Sequence, residues 1–167
     1  IGEPKGFLGT AYSSTLALYG TFDGKNHFDC TAGVYEKIPA GYHLITAGHC
    51  VQEIPAGVTF SISDNIDGPL TPVKLIKARE EGNIDFAEFE LDTKKSYPVI
   101  AIGDENELHV GDTVINPNFA DGLTKQLSIS RVSSQALTPT RDCPEECADH
   151  FLIQGFGAAG SSGSMVI

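Results

Sequence analysis

The chain has 167 residues, of which 41% are hydrophobic and 20% are charged, and its formal net charge is −11. This composition is typical of a folded protein with a hydrophobic core and excludes a disordered chain. The Lys and Arg side chains form no cluster, which excludes the basic surface that nucleic-acid binding needs. No apolar run approaches the ~20 residues of a membrane-spanning helix, so we expect neither nucleic acid nor membrane as a partner.

Short strand patterns follow one another along the chain, separated by turns rich in Gly and Pro. Several alternate apolar with polar residues, as half-buried strands do. The candidate strands of the first half are Gly9–Leu18, Asp29–Tyr35, His43–Thr46, Val58–Ser63, Val73–Ala78 and Phe86–Leu91. Those of the second half are Val99–Ile102, Asp112–Asn116, Lys125–Val132, Phe151–Gln154 and Ser164–Ile167. One short helical turn is expected at Ala47–Val51.

A polar stretch, Asp92–Pro98, separates the two sets of strands and is the best candidate for a domain boundary. We therefore predict two domains, residues 1–95 and 96–167. Frequent short strands with few helix signals are typical of an all-β protein built from barrels or a sandwich.

The four cysteines occur as two pairs, Cys30 with Cys50 and Cys143 with Cys147. An even number suits disulfide bridges formed in an oxidising compartment, whereas four reduced core thiols are the alternative. A zinc site could draw on Cys143, Cys147 and His150, but the Cys-Pro-Glu-Glu-Cys spacing lacks the Cys-x-x-Cys pairs of structural zinc sites. We therefore expect no metal.

Two segments carry a histidine and a carboxylate at strand ends. In Leu44–Cys50 an apolar strand ends in small residues, and His49 lies where the chain turns. Asp85 opens an alternating strand, where an aspartate commonly caps a turn. A catalytic role would require this carboxylate to be buried beside an imidazole, orienting its ring and stabilising the imidazolium.

A third segment, Gly157–Ser164, is rich in Gly and Ser, which is usually the mark of a flexible loop. The apolar residues Met165–Ile167 follow it directly, so it leads into a strand. Glycines around a serine let consecutive N–H groups point into one hollow, where they can stabilise a developing oxyanion.

In the order His, Asp, Ser, these segments resemble the chymotrypsin-like (trypsin-like) serine proteases. Thr46–Cys50 is similar to the catalytic His segment, Asp85–Ala87 to the Asp segment, and Gly160–Ser164 to the nucleophile segment Gly-x-Ser-Gly-Gly/Ser. Leu108–Val114 and Ser128–Ser133 are similar to the second barrel of HtrA-type and bacterial secreted members.

The resemblance implies a serine endopeptidase whose catalytic residues are His49, Asp85 and Ser162. It also implies an oxyanion hole made by the backbone N–H groups of Gly160 and Ser162, and a Cys30–Cys50 disulfide. It leaves the pairing of the other two cysteines open. Expected substrates are proteins or peptides, no cofactor is expected, and the expected location is secreted or otherwise extracytoplasmic.

The fold implied is two perpendicular antiparallel β-barrels with the active site in the cleft between them. The chain ends five residues after Ser162, so we expect the second barrel to be incomplete and a C-terminal segment of the same protein to be a possible partner. Phe156 resembles the position at the base of the specificity pocket and argues against a preference for basic side chains. The alternative is a catalytically inactive, protease-like binding module or an inactive fragment.

The other histidines show no paired carboxylate and no metal-ligand spacing in the sequence. We expect surface or packing roles for His27, His43, His109 and His150.

Overall fold

The computed structural model describes residues 1–52, 54–134, 151–155 and 157–167. Its strands are β1 Thr15–Phe22, β2 Lys25–Ile38, β3 Gly41–Thr46, β4 Thr59–Ser63, β5 Thr71–Glu81, β6 Ile84–Asp92, β7 Thr113–Asn118, β8 Gln126–Ser134 and β9 Leu152–Ile153. Its helices are α1 Gly6–Ser13 and α2 His49–Gln52, with 3-10 turns at Glu105–Glu107 and Ala120–Gly122. None of the helices in these ranges is long and apolar enough to span a membrane.

The first six strands form a closed antiparallel barrel in the order β1-β2-β3-β6-β5-β4. Closure leaves no unpaired sheet edge, and the alternation of apolar residues directs one face of each strand inward. In β6, for example, Ala87, Phe89 and Leu91 are all fully buried. Phe89 packs edge-to-face on Phe60 of β4, with 5.1 Å between the ring centroids. The barrel core is therefore formed by the inward-facing residues of alternating strands.

β1 is buried on both faces because a second apolar cluster covers its outer side. Leu16 and Leu18 point into the barrel, whereas Ala17 and Tyr19 pack with the fully buried Phe119, which follows β7. This outer cluster is where the second half of the chain rests on the barrel.

The second half of the described chain forms a three-stranded antiparallel sheet in the order β7-β8-β9. On the other side of β7, Ile115 and Ile167 exchange two backbone hydrogen bonds of 2.7 and 2.9 Å. The all-β prediction is confirmed: a closed barrel is followed by a partial second sheet that does not close among these residues.

The prediction of a strand at Gly9–Leu18 was wrong over its first half, which is helical in α1. Leu8, Ala11 and Tyr12 are spaced three and four residues apart, and this spacing places them on the inner face of a helix. Phe7 and Ser13 lie on its exposed side. Only the residues from Thr15 onward are extended.

Two other predicted strands are reduced to isolated contacts. Val99–Ile102 forms no strand, and its backbone contact with the barrel is the Ile100 N–H bond to the Val34 carbonyl, 3.0 Å long. Ser164–Ile167 is not a regular strand either, although Ile167 pairs with β7. The expected turn at Ala47–Val51 corresponds to α2.

Candidate active site

His49 and Asp85 meet at one end of two paired strands. β3 and β6 run antiparallel with Thr46 opposite Ala87, so the residues just after β3 and at the start of β6 lie side by side. The Nδ1 atom of His49 lies 2.7 Å from Oδ2 of Asp85, and the His49 backbone N–H donates to Oδ1 at 2.8 Å. When the ring is neutral and Nδ1–H donates to the carboxylate, Nε2 keeps its lone pair and can accept a proton.

Gly48 permits this close approach. A Cβ atom at this position would lie 2.5 Å from the Arg79 carbonyl oxygen, 2.9 Å from that of Phe86 and 3.0 Å from Oδ1 of Asp85. Any larger residue would therefore push the histidine away from the carboxylate.

The pKa of Asp85 is lowered from its ordinary value. Partial burial raises it, but the hydrogen bonds from the His49 ring and from the His49 backbone lower it by more. The carboxylate is therefore ionised at neutral pH. Its side chain is 42% exposed, so the burial that a catalytic role requires is incomplete. The physical reason is that Asp85 lies at the border of an open groove.

Neighbouring groups engage the hydroxyls of Ser161 and Ser164 in the Gly/Ser-rich segment. Ser161 Oγ donates to the Ala158 carbonyl oxygen at 2.6 Å and accepts the Ala158 N–H at 3.2 Å. Ser164 Oγ accepts from the Asn116 side-chain amide at 2.9 Å. Within the residues that the structure describes, the Ser162 hydroxyl makes no hydrogen bond.

The peptide groups before Gly160 and Ser162 are held through their carbonyl oxygens. The Ala159 carbonyl accepts from the Asp121 N–H, and the Ser161 carbonyl accepts from the Ser164 N–H. In a trans peptide the N–H points away from the carbonyl. The N–H groups of Gly160 and Ser162 therefore point away from the Asp121 and Ser164 N–H groups. In the described part of the chain, neither N–H group donates a hydrogen bond.

The loop that carries Ser162 rests on the barrel next to the histidine segment. The Ser162 carbonyl accepts from the Thr31 N–H at 2.9 Å. Gly163 has a φ of +80°, and a Cβ atom there would collide with the Thr46 hydroxyl and lie 2.8 Å from the Ala47 nitrogen. The structure thus brings the three predicted catalytic residues to the same end of the barrel.

The predicted Cys30–Cys50 disulfide is confirmed, and it ties β2 to α2 directly after His49. Cys143, Cys147 and Phe156 lie outside the described residues, as does His150. Among the described side chains, Cys30, His49 and Cys50 form a group close enough to suggest a metal site. Both sulfur atoms are bonded to each other and the histidine Nδ1 contacts Asp85, so these residues do not fit a metal ion.

Two of the remaining histidines do have carboxylate neighbours, contrary to the sequence interpretation. His43 Nδ1 lies 2.8 Å from Glu36, and His109 Nδ1 lies 3.6 Å from Asp112. His43 and Glu36 are on paired strands, whose register the sequence did not reveal.

A groove of about 780 Å³ borders the site. Ile45 and Phe86 line it from the barrel, and Met165 and Ile167 line it from the end of the chain. Asp85 also lines it. A cavity of this size with apolar walls can accept side chains of a peptide.

Sequence reasoning missed two residues, distant in the sequence, that hydrogen-bond to the loop that carries Ser162 and to the residues directly after it. Thr31 binds two of its carbonyl oxygens, and Asn116 binds both Ser164 Oγ and the Met165 carbonyl. The available signal for Thr31 was its place beside Cys30; we found no sequence signal for Asn116.

The family model for the trypsin-like peptidase domain matches residues 30–167. The chain therefore belongs to the trypsin-like peptidase domain family. A search of curated protein sequences gave no significant match.

Solved structures with this fold include HtrA-type proteases. The HtrA-type protease AlgW with tripeptide is 19% identical, with a TM-score of 0.69 over 95% of this chain and 48% of that chain. Deg5 is 15% identical, with a TM-score of 0.71 over 95% of this chain and 75% of that chain. The chain thus spans about half the length of AlgW. The likeness shows a chymotrypsin-like fold with an incomplete second barrel, as predicted.

Proposed function

We propose that the protein is a serine endopeptidase that hydrolyses peptide bonds through His49, Asp85 and Ser162. The observation that carries the proposal is the 2.7 Å contact between His49 Nδ1 and the ionised Asp85 carboxylate. It is supported by the unengaged Ser162 hydroxyl on a loop that rests against the histidine segment. Family membership favours the same chemistry.

In the proposed reaction, Ser162 Oγ attacks the scissile carbonyl carbon while His49 Nε2 takes the hydroxyl proton. The tetrahedral oxyanion is stabilised by the N–H groups of Gly160 and Ser162. His49 then delivers its proton to the leaving amine as the C–N bond breaks, which leaves an acyl ester on Ser162. Water attacks the ester with His49 as the base, the acid is released, and the serine hydroxyl is restored. Asp85 holds the ring with Nδ1 protonated throughout.

Proteins or peptides are the proposed substrates, and the reaction needs no cofactor. The disulfide supports an oxidising location, so we propose a secreted or otherwise extracytoplasmic protein. We also propose that residues 1–95 and 96–167 form the two domains.

One observation favours the alternative, a protease-like binding module without activity. Asp85 is 42% exposed, so solvent screens its interaction with His49 more than in a closed site. The two functions differ in whether Ser162 is activated.

The test is reaction of the folded protein with a fluorophosphonate, followed by intact mass measurement and peptide mapping. We expect one adduct, on Ser162, and none on Ser162→Ala. An adduct on another serine, or peptide turnover by purified Ser162→Ala, would overturn the assignment. A folded protein that takes no adduct would instead support the binding module.

A further inference from the structure

We propose that Thr31 is a positioning residue for the proposed reaction: its side chain and backbone together hold the nucleophile loop in its reactive shape. This inference rests on the proposed function. It concerns a residue that contacts neither His49 nor Asp85 through any of its hydrogen bonds.

Thr31 lies in β2, is fully buried, and uses all of its polar groups. Its backbone N–H donates to the Ser162 carbonyl at 2.9 Å, and its hydroxyl donates to the Gly160 carbonyl at 2.8 Å. The same hydroxyl accepts the Phe119 N–H at 3.2 Å. Its carbonyl accepts from the Thr46 hydroxyl at 2.7 Å.

The direction of the hydroxyl bonds is determined by the partners. The Phe119 N–H can only donate and the Gly160 carbonyl can only accept, so the hydroxyl proton must point to Gly160. A threonine side chain has restricted χ1, because two heavy atoms branch at Cβ. The hydroxyl therefore acts as a fixed donor between two backbone segments.

Both carbonyls that Thr31 holds belong to the residues whose N–H groups form the proposed oxyanion hole. Each carbonyl belongs to the peptide group that follows the N–H concerned, with the residue's own φ and ψ between them. The bonds from Thr31 therefore fix the position of the backbone at Gly160 and Ser162, and the N–H groups are held with it. Thr31 also contacts Thr46 of β3, which leads to His49. Thr31 thus links the loop that carries Ser162 to β3, the strand that precedes His49.

A merely structural threonine would affect stability without affecting turnover of the folded enzyme. A positioning residue differs, because displacement of reacting groups by about 1 Å can cost a factor of 10² in rate. Loss of alignment should act on the transition state and hence on kcat, with little effect on KM.

The experiment compares Thr31→Val with Thr31→Ser and with a matched control, Thr15→Val. Valine has nearly the shape of threonine but removes both hydroxyl bonds, whereas serine keeps the hydroxyl. Thr15 is also fully buried, and its hydroxyl donates to the Ala11 carbonyl at 2.9 Å, at the end of α1. The measurements are kcat and KM on a peptide substrate, the rate of fluorophosphonate labelling of Ser162, and Tm.

We expect Thr31→Val to lower kcat and the labelling rate by about ten- to a hundredfold, with KM changed less than about twofold. Thr31→Ser should stay within about threefold of wild type, and Thr15→Val should lower Tm without lowering kcat. If Thr31→Val does not fold, Thr31→Ala, which creates no steric conflict, replaces it with the same expectation.

An unchanged kcat in folded Thr31→Val or Thr31→Ala would overturn the inference, as would an equal loss of kcat in Thr15→Val. These results differ from failure of the proposed function, in which the wild-type protein itself would take no label on Ser162.

Discussion

Gly163 lies so close to Thr46 that the Thr46 hydroxyl occupies the place a Cβ atom would need. This contact joins the loop that carries Ser162 to the strand that leads to His49. The two segments are distant in the sequence, so the proposed site depends on a close approach that only glycine allows.

Replacing Gly163 by alanine should therefore displace the loop that carries Ser162. We expect Gly163→Ala to lower the fluorophosphonate labelling rate at least tenfold, because the new Cβ collides with Thr46 and Thr31. The control is Gly111→Ala: Gly111 also has a positive φ, +96°, but nothing lies within 4 Å of its Cβ position. That variant should lose ~1 kcal/mol of stability through backbone strain and keep its labelling rate. Equal rates in both variants would contradict the role of the contact.

The Asp85 carboxylate should contribute to turnover by holding the His49 ring. We expect Asp85→Asn to lower kcat by about 10⁴, because the amide favours the tautomer with the proton on Nε2. The matched control is Asp112→Asn. Asp112 accepts the backbone N–H of His109 at 2.8 Å and lies near its ring, away from the proposed site. A kcat for Asp85→Asn within tenfold of wild type would argue against the proposed mechanism.

The same carboxylate should affect stability in acid. The folded-state pKa of Asp85 is lower than its unfolded value, so its contribution is present above the unfolded pKa and is lost as the pH falls through the folded pKa. Urea unfolding of wild type and Asp85→Asn should therefore differ most well above the unfolded pKa of about 4 and converge as the pH falls from there through the lower folded-state pKa. A difference that stays constant over this range would refute the assigned direction.

Lys125 should make stability depend on alkaline pH. Its side chain is buried, with Nζ donating to the Tyr12 carbonyl at 2.9 Å and lying over the Tyr12 and Phe119 rings. Burial lowers the pKa of Lys125 to about 8, while Asp64 and Glu3 raise it and Lys95 lowers it. The unfolded chain therefore binds more protons between pH 8 and 10.5, and stability should rise with pH in this window.

The difference between the ordinary pKa of Lys125 and its folded-state pKa of about 8 corresponds to a rise of ~3 kcal/mol at most in the free energy of unfolding. Urea unfolding at pH 7 to 9.5 should show this rise in wild type and not in Lys125→Met, which fills the same space without a charge. If the free energy of unfolding depended on pH in the same way in both proteins, the prediction would be contradicted.

The Cys30–Cys50 bridge should stabilise the histidine segment and the whole barrel. It closes a loop with a sequence separation of 20, for which chain-entropy arguments give ~3 kcal/mol. We expect the double variant Cys30→Ala, Cys50→Ala to lose about this amount in urea unfolding. At a temperature where it is still folded, Ser162 should still react, though more slowly. A loss below about 0.5 kcal/mol would show that the bridge adds little.

The sequence by itself determined the features that depend on local pattern. The alternation in β6 predicted the buried Ala87, Phe89 and Leu91, because a strand directs successive side chains to opposite faces. The resemblance of three short segments predicted the family, and the Gly-x-Ser-Gly pattern leads to the proposal of Ser162 as nucleophile. In α1 the helical spacing of three apolar residues was present, but it was too short to outweigh the extended pattern that follows.

Only the tertiary structure decided how these segments meet. Thr31 bonds to Gly160 and Phe119, which are 129 and 88 residues away in the chain, and no local pattern contains such contacts. The exposure of Asp85 likewise depends on which parts of the chain surround it. Periodicity reports which face of a strand is buried. The partners of a buried hydroxyl and the surroundings of a carboxylate are set by how distant segments pack, and that is why the sequence could propose the site's residues but not the contacts that support them.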